Sequence, residues 1–341
     1  MQLALDTKEI KGFLKKGTVF LSTENNQGKL TVADESWVYQ RVFPIKKMEK
    51  QGETILPLKA VDFLGAFNGE IEIIADDREV QLNGDDFNIK MPLSSTAKET
   101  VIMSGPQCDQ AYEIKMNKGM LSVISGEKDV RLPQAGIIET GGKESRLVCL
   151  DGYRIAITNM DTDFPMNDKV VVPKDALEIA MSRELNKCYF DEKTVMFTNN
   201  DNENIISRVL DKDSVPDSYR EILDENKNEI LNVTVVETKL LKDALSRIKL
   251  ISDWVGIKFE QNKMTLSASS ENNEIIKQVV VTKNFSGEPL RAYYNVNYLL
   301  DLFKISKQKD IQLELAKEPR KNILIAKDKE EGIKYLLLPC K

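Results

Sequence analysis

The sequence predicts an α+β protein of three tandem domains, each built from antiparallel strands and two helices. Three observations predict it: a motif repeated at domain spacing, β-like runs after each copy, and a second helical pattern before each copy. In the motif, an apolar strand, a polar or proline break and an amphipathic helix follow one another. Ala60, Ala176 and Tyr298 occupy equivalent places, and their separation is that of a domain rather than a short repeat. The copies are TILPLKAVDFLGAF (54–67), VVVPKDALEIAMS (170–182) and AYYNVNYLLDLFK (292–304).

Two β-like runs follow each copy of the motif. They alternate apolar and polar residues and are separated by turn residues, which favours antiparallel strands. In the first domain, NGDD (83–86) lies between two runs and predicts a hairpin. A calcium loop is the alternative for the acidic stretch 76–86, although it lacks the D-x-D-x-D-G register. The runs are EIEIIA and EVQLNGDDFNIKM, then KCYFDEKTVMFT and NIISRVLD, then IQLELA and NILIAKDKEEGIKYLLLP.

A second helical pattern precedes each copy of the motif. TKEIKGFL (7–14) and TKLLKDAL (238–245) match at Thr, at both Lys and at the last Leu, with Thr placed as an N-cap. The middle copy, NKGMLSVI (117–124), is a weaker match. Polar linkers are predicted in LSSTAKETVIMSGPQ and DENKNE. The predicted domains are residues 1–103, 104–225 and 226–341.

Composition excludes several classes of protein. The chain has 341 residues, of which 41% are apolar and 30% charged, and it contains no histidine. Ser-His-Asp and Cys-His nucleophiles and His-ligated zinc are therefore excluded. The four cysteines stand far apart without a C-x-x-C pair, and no Gly-rich phosphate loop or clustered acidic metal motif is present. We therefore predict that the protein is not an enzyme and uses no cofactor or metal.

No stretch of the sequence has the pattern of a membrane or export segment. No window approaches the roughly 18 uninterrupted apolar residues of a membrane span. The start of the chain, MQLALDTKEIKGFLKKG, lacks the basic start, apolar middle and small-residue cleavage site of a signal peptide. The sequence predicts a cytoplasmic protein.

Two of the helical patterns carry a basic face opposite their apolar face. At about 100° per residue, three lysines fall on one side of the first pattern and three on one side of its counterpart in the third domain. A solvated lysine face is the ordinary explanation for one helix, but recurrence on equivalent helices favours a shared role. The chain as a whole is acidic, with a net charge of -6. Basic helix faces on such a protein would concentrate positive potential on one surface. The lysines are Lys8, Lys11, Lys15, Lys239, Lys242 and Lys249.

Several stretches resemble a known family in order and spacing. The resemblance is to the bacterial β sliding clamp, the β subunit of DNA polymerase III, and it marks the chain as a divergent member. Its most specific elements are Asp151-Gly152-Tyr153-Arg154, Pro216-Asp217 with Tyr219-Arg220, and the final Leu338-Pro339. The resembling stretches are RLVCLDGYRIAITNMD (146–161), KVVVPKDALEIA (169–180), RVLDKDSVPDSYREIL (208–223), YNVNYLLDLF and IKYLLLPCK.

The resemblance implies a head-to-tail homodimer that closes into a ring, with helices lining the hole and sheets outside. Such a ring is a DNA sliding clamp and replication processivity factor, which encircles double-stranded DNA without reading its sequence. Replicative polymerase, clamp loader and repair proteins would bind it through short peptides. The alternatives are a clamp-like paralogue that acts as a protein-interaction module without encircling DNA, and an enzyme built on the same scaffold.

The resemblance also assigns site residues. The end of the chain, YLLLPCK (335–341), would be both the last strand of the third sheet and one wall of an apolar peptide-binding groove. Arg154 would stand at the edge of this groove and orient the peptide through hydrogen bonds. The groove would comprise Leu150, Gly152, Tyr153, Arg154, Ile155, Pro216, Ile222, Leu336, Leu337, Leu338, Pro339 and Cys340.

The remaining assigned residues concern DNA and the second copy of the chain. Leu250 lies off the apolar face of its helix beside Ile251, and by family position both lie at the dimer interface between the third domain of one chain and the first of the other. The residues expected to face DNA are Lys8, Lys11, Lys15, Lys118, Lys128, Arg131, Lys239, Lys242 and Lys249.

Overall fold

The structure is a computed structural model that divides into two compact units. Unit 1 consists of Met1–Tyr112 and Ser182–Val209, and unit 2 consists of Glu113–Met181 and Leu210–Lys341. The predicted boundaries near residues 103 and 225 stay a prediction. The structure describes residues 1–9, 17–93, 103–108, 110–114, 116–124, 132–139, 145–160, 169–199, 202–223, 229–317, 323–328 and 332–340.

Antiparallel strands dominate the described residues. The strands of the first part of the chain are β1 (Gln2–Asp6), β2 (Thr18–Glu24), β3 (Gln27–Ala33), β4 (Trp37–Pro44), β5 (Lys47–Lys50), β6 (Gly52–Leu56), β7 (Glu70–Ala75), β8 (Glu79–Asn83), β9 (Asn88–Pro92) and β10 (Tyr112–Glu113). Those of the middle part are β11 (Ala135–Glu139), β12 (Ser145–Leu150), β13 (Arg154–Met160), β14 (Lys169–Pro173), β15 (Lys187–Phe190), β16 (Thr194–Thr198) and β17 (Glu203–Arg208). Those of the last part are β18 (Ile230–Glu237), β19 (Trp254–Glu260), β20 (Lys263–Ser269), β21 (Ile275–Gly287), β22 (Leu290–Asn295), β23 (Asp310–Ala316), β24 (Ile323–Asp328) and β25 (Ile333–Leu337).

Helices are few and short. Short 3₁₀ helices span Thr7–Glu9, Lys118–Val123 and Lys212–Ser214. Among the described residues, no helix is both long and apolar enough to cross a membrane, and no three or more Cys, Asp and Glu side chains are grouped to hold a metal ion. The α-helices are α1 (Leu58–Ala66), α2 (Lys174–Ser182), α3 (Tyr219–Leu223), α4 (Thr238–Lys249) and α5 (Val296–Ile305).

The repeated strand-break-helix motif is confirmed at all three places. Strand β6 leads through Pro57 into α1, β14 leads into α2 directly after Pro173, and β22 leads through Asn295 into α5. The Asn295 side chain accepts hydrogen bonds from the backbone N–H groups of Asn297 (2.8 Å) and Tyr298, which satisfies two free donors at the start of α5. The predicted hairpin at NGDD is also confirmed, because β8 and β9 pair antiparallel with Asn83 opposite Asn88.

The described residues of unit 1 form two sheets. The five-stranded sheet has the order β5-β1-β7-β8-β9, and the eight-stranded sheet has the order β10-β15-β16-β17-β4-β3-β2-β6. The N-cap role of Thr7 stays a prediction, since the predicted helix beyond Glu9 lies outside the described residues. The Thr7 hydroxyl donates to the carbonyl oxygens of Phe67 (3.0 Å) and Gly69 (3.2 Å). This tertiary contact joins β1 to the start of β7. The rest of the predicted helix, with Lys11 and Lys15, lies outside the described residues.

Unit 2 contains one twelve-stranded sheet with the order β14-β11-β12-β13-β25-β24-β23-β18-β21-β20-β19-β22. The C-terminal strand β25 is an interior strand, with Leu336 opposite Ile155 of β13 on one side and Ile325 of β24 on the other. It therefore joins the strands of residues 135–173 to those of residues 230–328. Central strands have both edges hydrogen-bonded, which accounts for the apolar and ordered end of the chain.

A layer of helices in unit 2 packs together: α4 contacts α5, and α5 contacts the 3₁₀ helix Lys118–Val123. The predicted amphipathic pattern of α4 is confirmed, but Thr238 is its first helical residue and Glu237 precedes it, so Thr238 is not the N-cap. The middle copy of this pattern is a 3₁₀ helix rather than an α-helix. The buried residues of α4 are Leu241, Ala244, Leu245 and Ile248.

Candidate functional site

An open cavity of about 260 Å³ lies in unit 2, beside the C-terminal strand. Its lining comes from the turn between β12 and β13, from the segment around α3, and from β25. Nine of the twelve predicted groove residues line it: Leu150, Gly152, Tyr153, Arg154, Ile155, Pro216, Ile222, Leu336 and Leu338. Four residues outside the predicted groove set also line it: Leu132, Asp151, Ser218 and Tyr219.

The first wall is a tight turn between β12 and β13. The Asp151 side chain accepts hydrogen bonds from the backbone N–H groups of Tyr153 (3.0 Å) and Arg154 (3.1 Å). Gly152 has a φ of 86°, in the left-handed region that side chains other than hydrogen disfavour. The sequence Asp-Gly therefore folds this turn locally, and the turn leaves the Tyr153 ring exposed at the cavity.

Arg154 lines the cavity, and its guanidinium is buried and held by groups of the protein, so its role in orienting a peptide stays a prediction. Its Nε donates to Asp151 Oδ2 (2.8 Å), its Nη2 donates to the Ser122 carbonyl oxygen (2.7 Å), and its Nη1 donates to Asp301. The guanidinium also lies 4.2 Å from the ring centre of Tyr298. A buried cation requires such compensation. Arg154 therefore fixes the turn to α5 and to the 3₁₀ helix Lys118–Val123.

The second wall is the segment Val215–Arg220, here called the anchored loop. Lys169 is 8% exposed, and its Nζ donates to the Val215 carbonyl oxygen and to Asp217 Oδ1, both at 2.7 Å. Glu139 is 6% exposed and accepts hydrogen bonds from the Tyr219 hydroxyl and Arg220 Nε, both at 2.6 Å, and from Arg146. Buried charges with several partners hold a loop in one position.

The two anchoring residues lie opposite one another on neighbouring strands, Glu139 at the end of β11 and Lys169 at the start of β14. Neither residue was among the predicted site residues. Glu139 is the last residue of the otherwise apolar run AGIIE, and Lys169 is the first residue of the otherwise apolar run KVVVP. A charged residue at the end of such a run is the sequence signal that could have indicated these anchoring residues. Sequence spacing could not reveal their partners, because Tyr219 and Asp217 are far along the chain.

Replacing Glu139 should destabilise unit 2 in a pH-dependent way. Burial raises the pKa of Glu139, but the hydrogen bonds from Tyr219, Arg220 and Arg146 outweigh it and hold the pKa below its ordinary value of 4.5. The charged form therefore stabilises the fold above pH 4.5, and this contribution is lost as the pH falls through the lowered pKa. We expect Glu139→Gln to lower the free energy of unfolding by about 1–3 kcal/mol at pH 7.

The measurement is urea unfolding of both proteins at pH 7 and at about pH 3. The difference between wild type and Glu139→Gln should shrink at the lower pH. Glu178→Gln is the matched control, since Glu178 is exposed on α2 and should give little difference at either pH. A difference that is the same at both pH values would show that the charge of Glu139 is not what anchors the loop.

The third wall is the end of β25. Side chains alternate along a strand, so Leu336 and Leu338 point toward the cavity while Tyr335 and Leu337 point to the opposite face. Leu337 is fully buried there, and its prediction as a groove residue is therefore corrected. The Tyr335 hydroxyl donates to the Tyr298 carbonyl oxygen at 2.7 Å.

The chain leaves the cavity after Leu338. The Leu338 backbone N–H donates to the Tyr153 carbonyl oxygen (2.9 Å), which joins the first and third walls. The Cys340 N–H donates to the carbonyl oxygen of Tyr293 in β22 at 2.8 Å. Cys340 therefore lies beside β22, and neither Pro339 nor Cys340 lines this cavity, so their part in a peptide groove stays a prediction.

The structure describes the positions of only some of the residues expected to face DNA. Lys239, Lys242 and Lys249 are exposed on α4, and Lys118 is exposed on the 3₁₀ helix next to α5. Lys8 is exposed in unit 1 and lies 3.2 Å from Asp6. Lys11, Lys15, Lys128 and Arg131 lie outside the described residues.

The two residues expected at the dimer interface are adjacent at the end of α4. Leu250 is 83% exposed, whereas Ile251 is partly buried and donates its N–H to the Ile248 carbonyl oxygen at 2.9 Å. Exposure of so large an apolar side chain has a solvation cost that a protein contact would remove.

These sheets, the helical layer and the cavity beside the C-terminal strand define a clamp-type α+β protein. Residues 221–341 match the sequence family described as DNA polymerase III beta subunit, C-terminal domain. The chain is 27% identical to the beta sliding clamp of Haemophilus influenzae over 216 residues, covering 60% of this chain and 56% of that protein. It is 22% identical to the beta sliding clamp of Vibrio cholerae over 350 residues, covering 95% and 92%. The chain is thus similar to bacterial beta sliding clamps, and residues 221–341 match the C-terminal domain of the beta subunit family.

Solved structures support the fold over the full chain. The sliding clamp of Pseudomonas aeruginosa bound to griselimycin has a TM-score of 0.83 at 19% identity, covering 100% of this chain and 99% of that one. The DNA polymerase III beta subunit of Thermotoga maritima has a TM-score of 0.82 at 14% identity, with the same coverage. The aligned region nevertheless spans less than two thirds of the Haemophilus influenzae relative and of the Escherichia coli K12 relative, where it covers 59%.

Proposed function

We propose that this chain is a DNA sliding clamp and replication processivity factor. Two copies close head to tail into a ring around duplex DNA, and the cavity of unit 2 binds short peptides from polymerase, clamp loader and repair proteins. The protein acts by tethering rather than by catalysis and works in the cytoplasm of a bacterium, where the DNA is. The observation that carries the proposal is the apolar cavity between the Asp151–Arg154 turn, the anchored loop and the end of β25.

The cavity suits a short peptide with large apolar side chains. Its volume is close to the lower end of ligand pockets, which are about 300–1,000 Å³. Leu150, Ile155, Ile222, Leu336 and Leu338 give it an apolar surface, and the rigid walls around them are fixed by buried hydrogen bonds. A rigid apolar pocket concentrates binding energy in a few side chains of the partner.

The helical layer of unit 2 suits contact with a phosphate backbone. On α4 the apolar face packs against the sheet and against α5, so the lysines face away from them into solvent. Lysine contacts with phosphates attract DNA of any sequence and weaken as the salt concentration rises, because counterion release then contributes less. This kind of contact permits sliding.

Charge reversal on α4 tests the DNA contact. Changing Lys239, Lys242 and Lys249 together to Glu should weaken binding to duplex DNA of any sequence. The slope of log affinity against log salt should fall by about 0.9 for each phosphate that the variant no longer neutralises. The measurement is fluorescence anisotropy of a labelled duplex at several salt concentrations.

The matched control changes Lys258, Lys263 and Arg291 to Glu. These residues are exposed on β19, β20 and β22, on the sheet face opposite the one that buries Ile257 and Leu266. The change in net charge is identical, so the control should keep the wild-type salt slope. An equal loss of affinity in both triple variants would show that α4 has no special part in DNA binding.

Two sheet edges suit the contact between chains. Strand β9 is at the edge of the five-stranded sheet of unit 1. In unit 2, β21 pairs with β20 through Ile275–Val281 and with β18 through Thr282–Gly287. The part Ile275–Val281 thus has one edge without a strand partner among the described residues. Open edges that also expose apolar side chains are sites of strand pairing with another chain.

The exposed apolar residues of unit 2 lie on and near this edge. Ile275, Val279 and Val281 are all mostly exposed on β21, and Leu250 is exposed at the end of α4. We propose that this surface of one chain meets the β9 edge of a second chain. The same contact repeated once closes a two-chain ring, as head-to-tail contacts can do when the rotation closes.

A further inference from the structure

Three aromatic side chains of the described residues are exposed, and all three lie in unit 2: Tyr153, Trp254 and Tyr293. Tyr153 lines the cavity beside β25, whereas Trp254 and Tyr293 belong to strands β19 and β22. Gly256 pairs with Tyr293 and Trp254 pairs with Asn295, so these side chains share the solvent-facing side of the sheet. The residues buried on the opposite side are Val255, Ile257 and Tyr294.

The Tyr293 ring lies against the backbone of β19 because the residue opposite it is glycine. A Cβ atom on residue 256 would lie 2.9 Å from Tyr293 Cε1 and 3.3 Å from Arg291 Nη2. The Arg291 guanidinium is 5.0 Å from the ring centre of Tyr293, and its Nη2 donates to Ser267 Oγ at 3.4 Å. A ring that is already supported loses little freedom when it binds a partner. We call Trp254, Gly256, Arg291 and Tyr293 the aromatic shelf.

The C-terminal segment connects the cavity with the aromatic shelf. The Leu338 N–H bonds to the Tyr153 carbonyl oxygen at the cavity, and the Cys340 N–H bonds to the Tyr293 carbonyl oxygen at the shelf. Two residues of chain span at most about 7 Å. A peptide that fills the cavity therefore needs only a few further residues to reach the shelf.

The side of the sheet that carries the aromatic shelf is basic. In β19, β20, β22 and the part Ile275–Val281 of β21, the charged side chains on this side are four cations and one carboxylate, Glu260, which lies 2.8 Å from Lys258. Asp253, just before β19, is a further carboxylate near Trp254 and accepts a hydrogen bond from Asn297 (3.0 Å). The excess of cations attracts acidic groups. The four cations are Lys258, Lys263, Lys277 and Arg291.

We propose that the aromatic shelf binds a flanking segment of the peptide that fills the cavity, with an aromatic side chain on Tyr293 or Trp254 and a carboxylate beside Arg291. This inference rests on the proposed peptide binding and names the chemistry of the partner beyond the cavity. Aromatic rings attract one another in offset or edge-to-face contacts, and a guanidinium next to them adds a charged hydrogen bond. A peptide held in the cavity presents its flanking segment to the shelf at high effective concentration.

A single strand of nucleic acid is the competing ligand, since its bases stack on aromatic rings and its phosphates are attracted by cations. The hydrogen bonds of Leu338 and Cys340 place the shelf next to the cavity, and this continuity favours the peptide.

The experiment compares a core peptide with two extended peptides. The core is a polymerase-derived clamp-binding peptide cut to the residues that fill the cavity. The extended peptides add Ser-Ser-Phe-Glu to its C-terminal end or Glu-Phe-Ser-Ser to its N-terminal end. In calorimetric titration of wild type, one extended peptide should bind roughly three- to tenfold more tightly than the core.

Variants test whether this gain comes from the aromatic shelf. Tyr293→Ser should remove the gain, and Arg291→Glu should reduce it. Lys263→Glu is the matched control, since Lys263 is on the same side of the sheet but opposite Glu260, at the far end of β19. This control should keep the gain. Equal gains in wild type and Tyr293→Ser would overturn the proposal.

Tryptophan fluorescence gives a second readout at the shelf. The chain has two tryptophans, of which Trp37 is 2% exposed and Trp254 is 53% exposed. The extended peptide that gains affinity should move the emission to shorter wavelength and protect it from acrylamide quenching, and the core peptide should not. Trp254→Phe should abolish this response. A response that persists in Trp254→Phe would contradict contact at the shelf.

The remaining outcomes separate this proposal from the proposed function. If the core peptide binds but neither extension raises its affinity, the shelf proposal is overturned and peptide binding in the cavity stands. The same result together with quenching of Trp254 by single-stranded oligo(dT), lost in Tyr293→Ser, would assign the shelf to nucleic acid instead. If the core peptide does not bind wild type, the proposed peptide binding fails, and the shelf proposal fails with it.

Discussion

Deleting Leu338 to Lys341 is expected to weaken binding of a polymerase-derived clamp-binding peptide by on the order of 2 kcal/mol or more, about thirtyfold. The Leu338 side chain lines the cavity, and its N–H bonds to the Tyr153 carbonyl oxygen on the opposite wall. The deletion removes both. Strand β25 ends at Leu337 and keeps its pairing with β13 and β24, so the melting temperature should fall only modestly.

Leu338→Asp tests the contribution of the cavity to peptide binding separately from that of the rest of the tail. The variant keeps the full chain and the path of Pro339 and Cys340 along β22, but it places a charge in the apolar pocket. Ile230→Asp is the matched control, since Ile230 is a partly exposed aliphatic residue of unit 2 that does not line this cavity. Calorimetric titration with the same peptide should show a large loss for Leu338→Asp and little for Ile230→Asp. Wild-type affinity in both the folded deletion variant and Leu338→Asp would place the peptide elsewhere.

Changing Leu250 and Ile251 together to Asp is expected to convert the proposed dimer into monomers. Two new charges at the end of α4 would be desolvated in a contact that covers an otherwise exposed leucine, and unpaired buried charges cost several kcal/mol. Sedimentation equilibrium over a range of concentrations measures the result. Because Leu250 is exposed in the single chain, its replacement should leave the fold intact.

Leu240→Asp is the control for the dimer experiment. Leu240 is also exposed on α4, near the opposite end of the helix. This variant should remain dimeric, which would show that the effect depends on the place of the new charge. A Leu250/Ile251 double variant that sediments as wild type would rule out this part of the interface.

Local patterns made the elements of the fold predictable. The repeated motif predicted α1, α2 and α5, and the alternation of apolar residues predicted the strands that follow them. The place of β25 between β13 and β24 was not predictable, because it depends on pairing between residues far apart in sequence. The hydrogen bonds of the Thr7 hydroxyl to carbonyl groups in the segment before β7 were not predictable for the same reason.

The cavity was predicted by resemblance, and the residues that determine its geometry were not. Asp151-Gly152 specifies a turn by local chemistry, and this part of the site follows from the sequence itself. The acceptors of Arg154 on Ser122 and Asp301 were not predictable, because they come from other parts of unit 2. Leu337 is buried on the opposite face of β25, because side chains alternate along a strand and the sequence alone did not show which of the neighbouring leucines faces the cavity.

Topological retention on DNA tests the ring most directly. The protein is incubated with linear duplex DNA that carries biotin at both ends, so that a ring can thread on. Streptavidin is then added to half of the sample to block the ends, and both halves are gel-filtered at a salt concentration that breaks phosphate contacts. A closed ring should stay with the DNA only when the ends are blocked. Equal loss, or equal retention, with blocked and free ends would contradict a chain that encircles DNA and would favour a module that binds peptides without a ring.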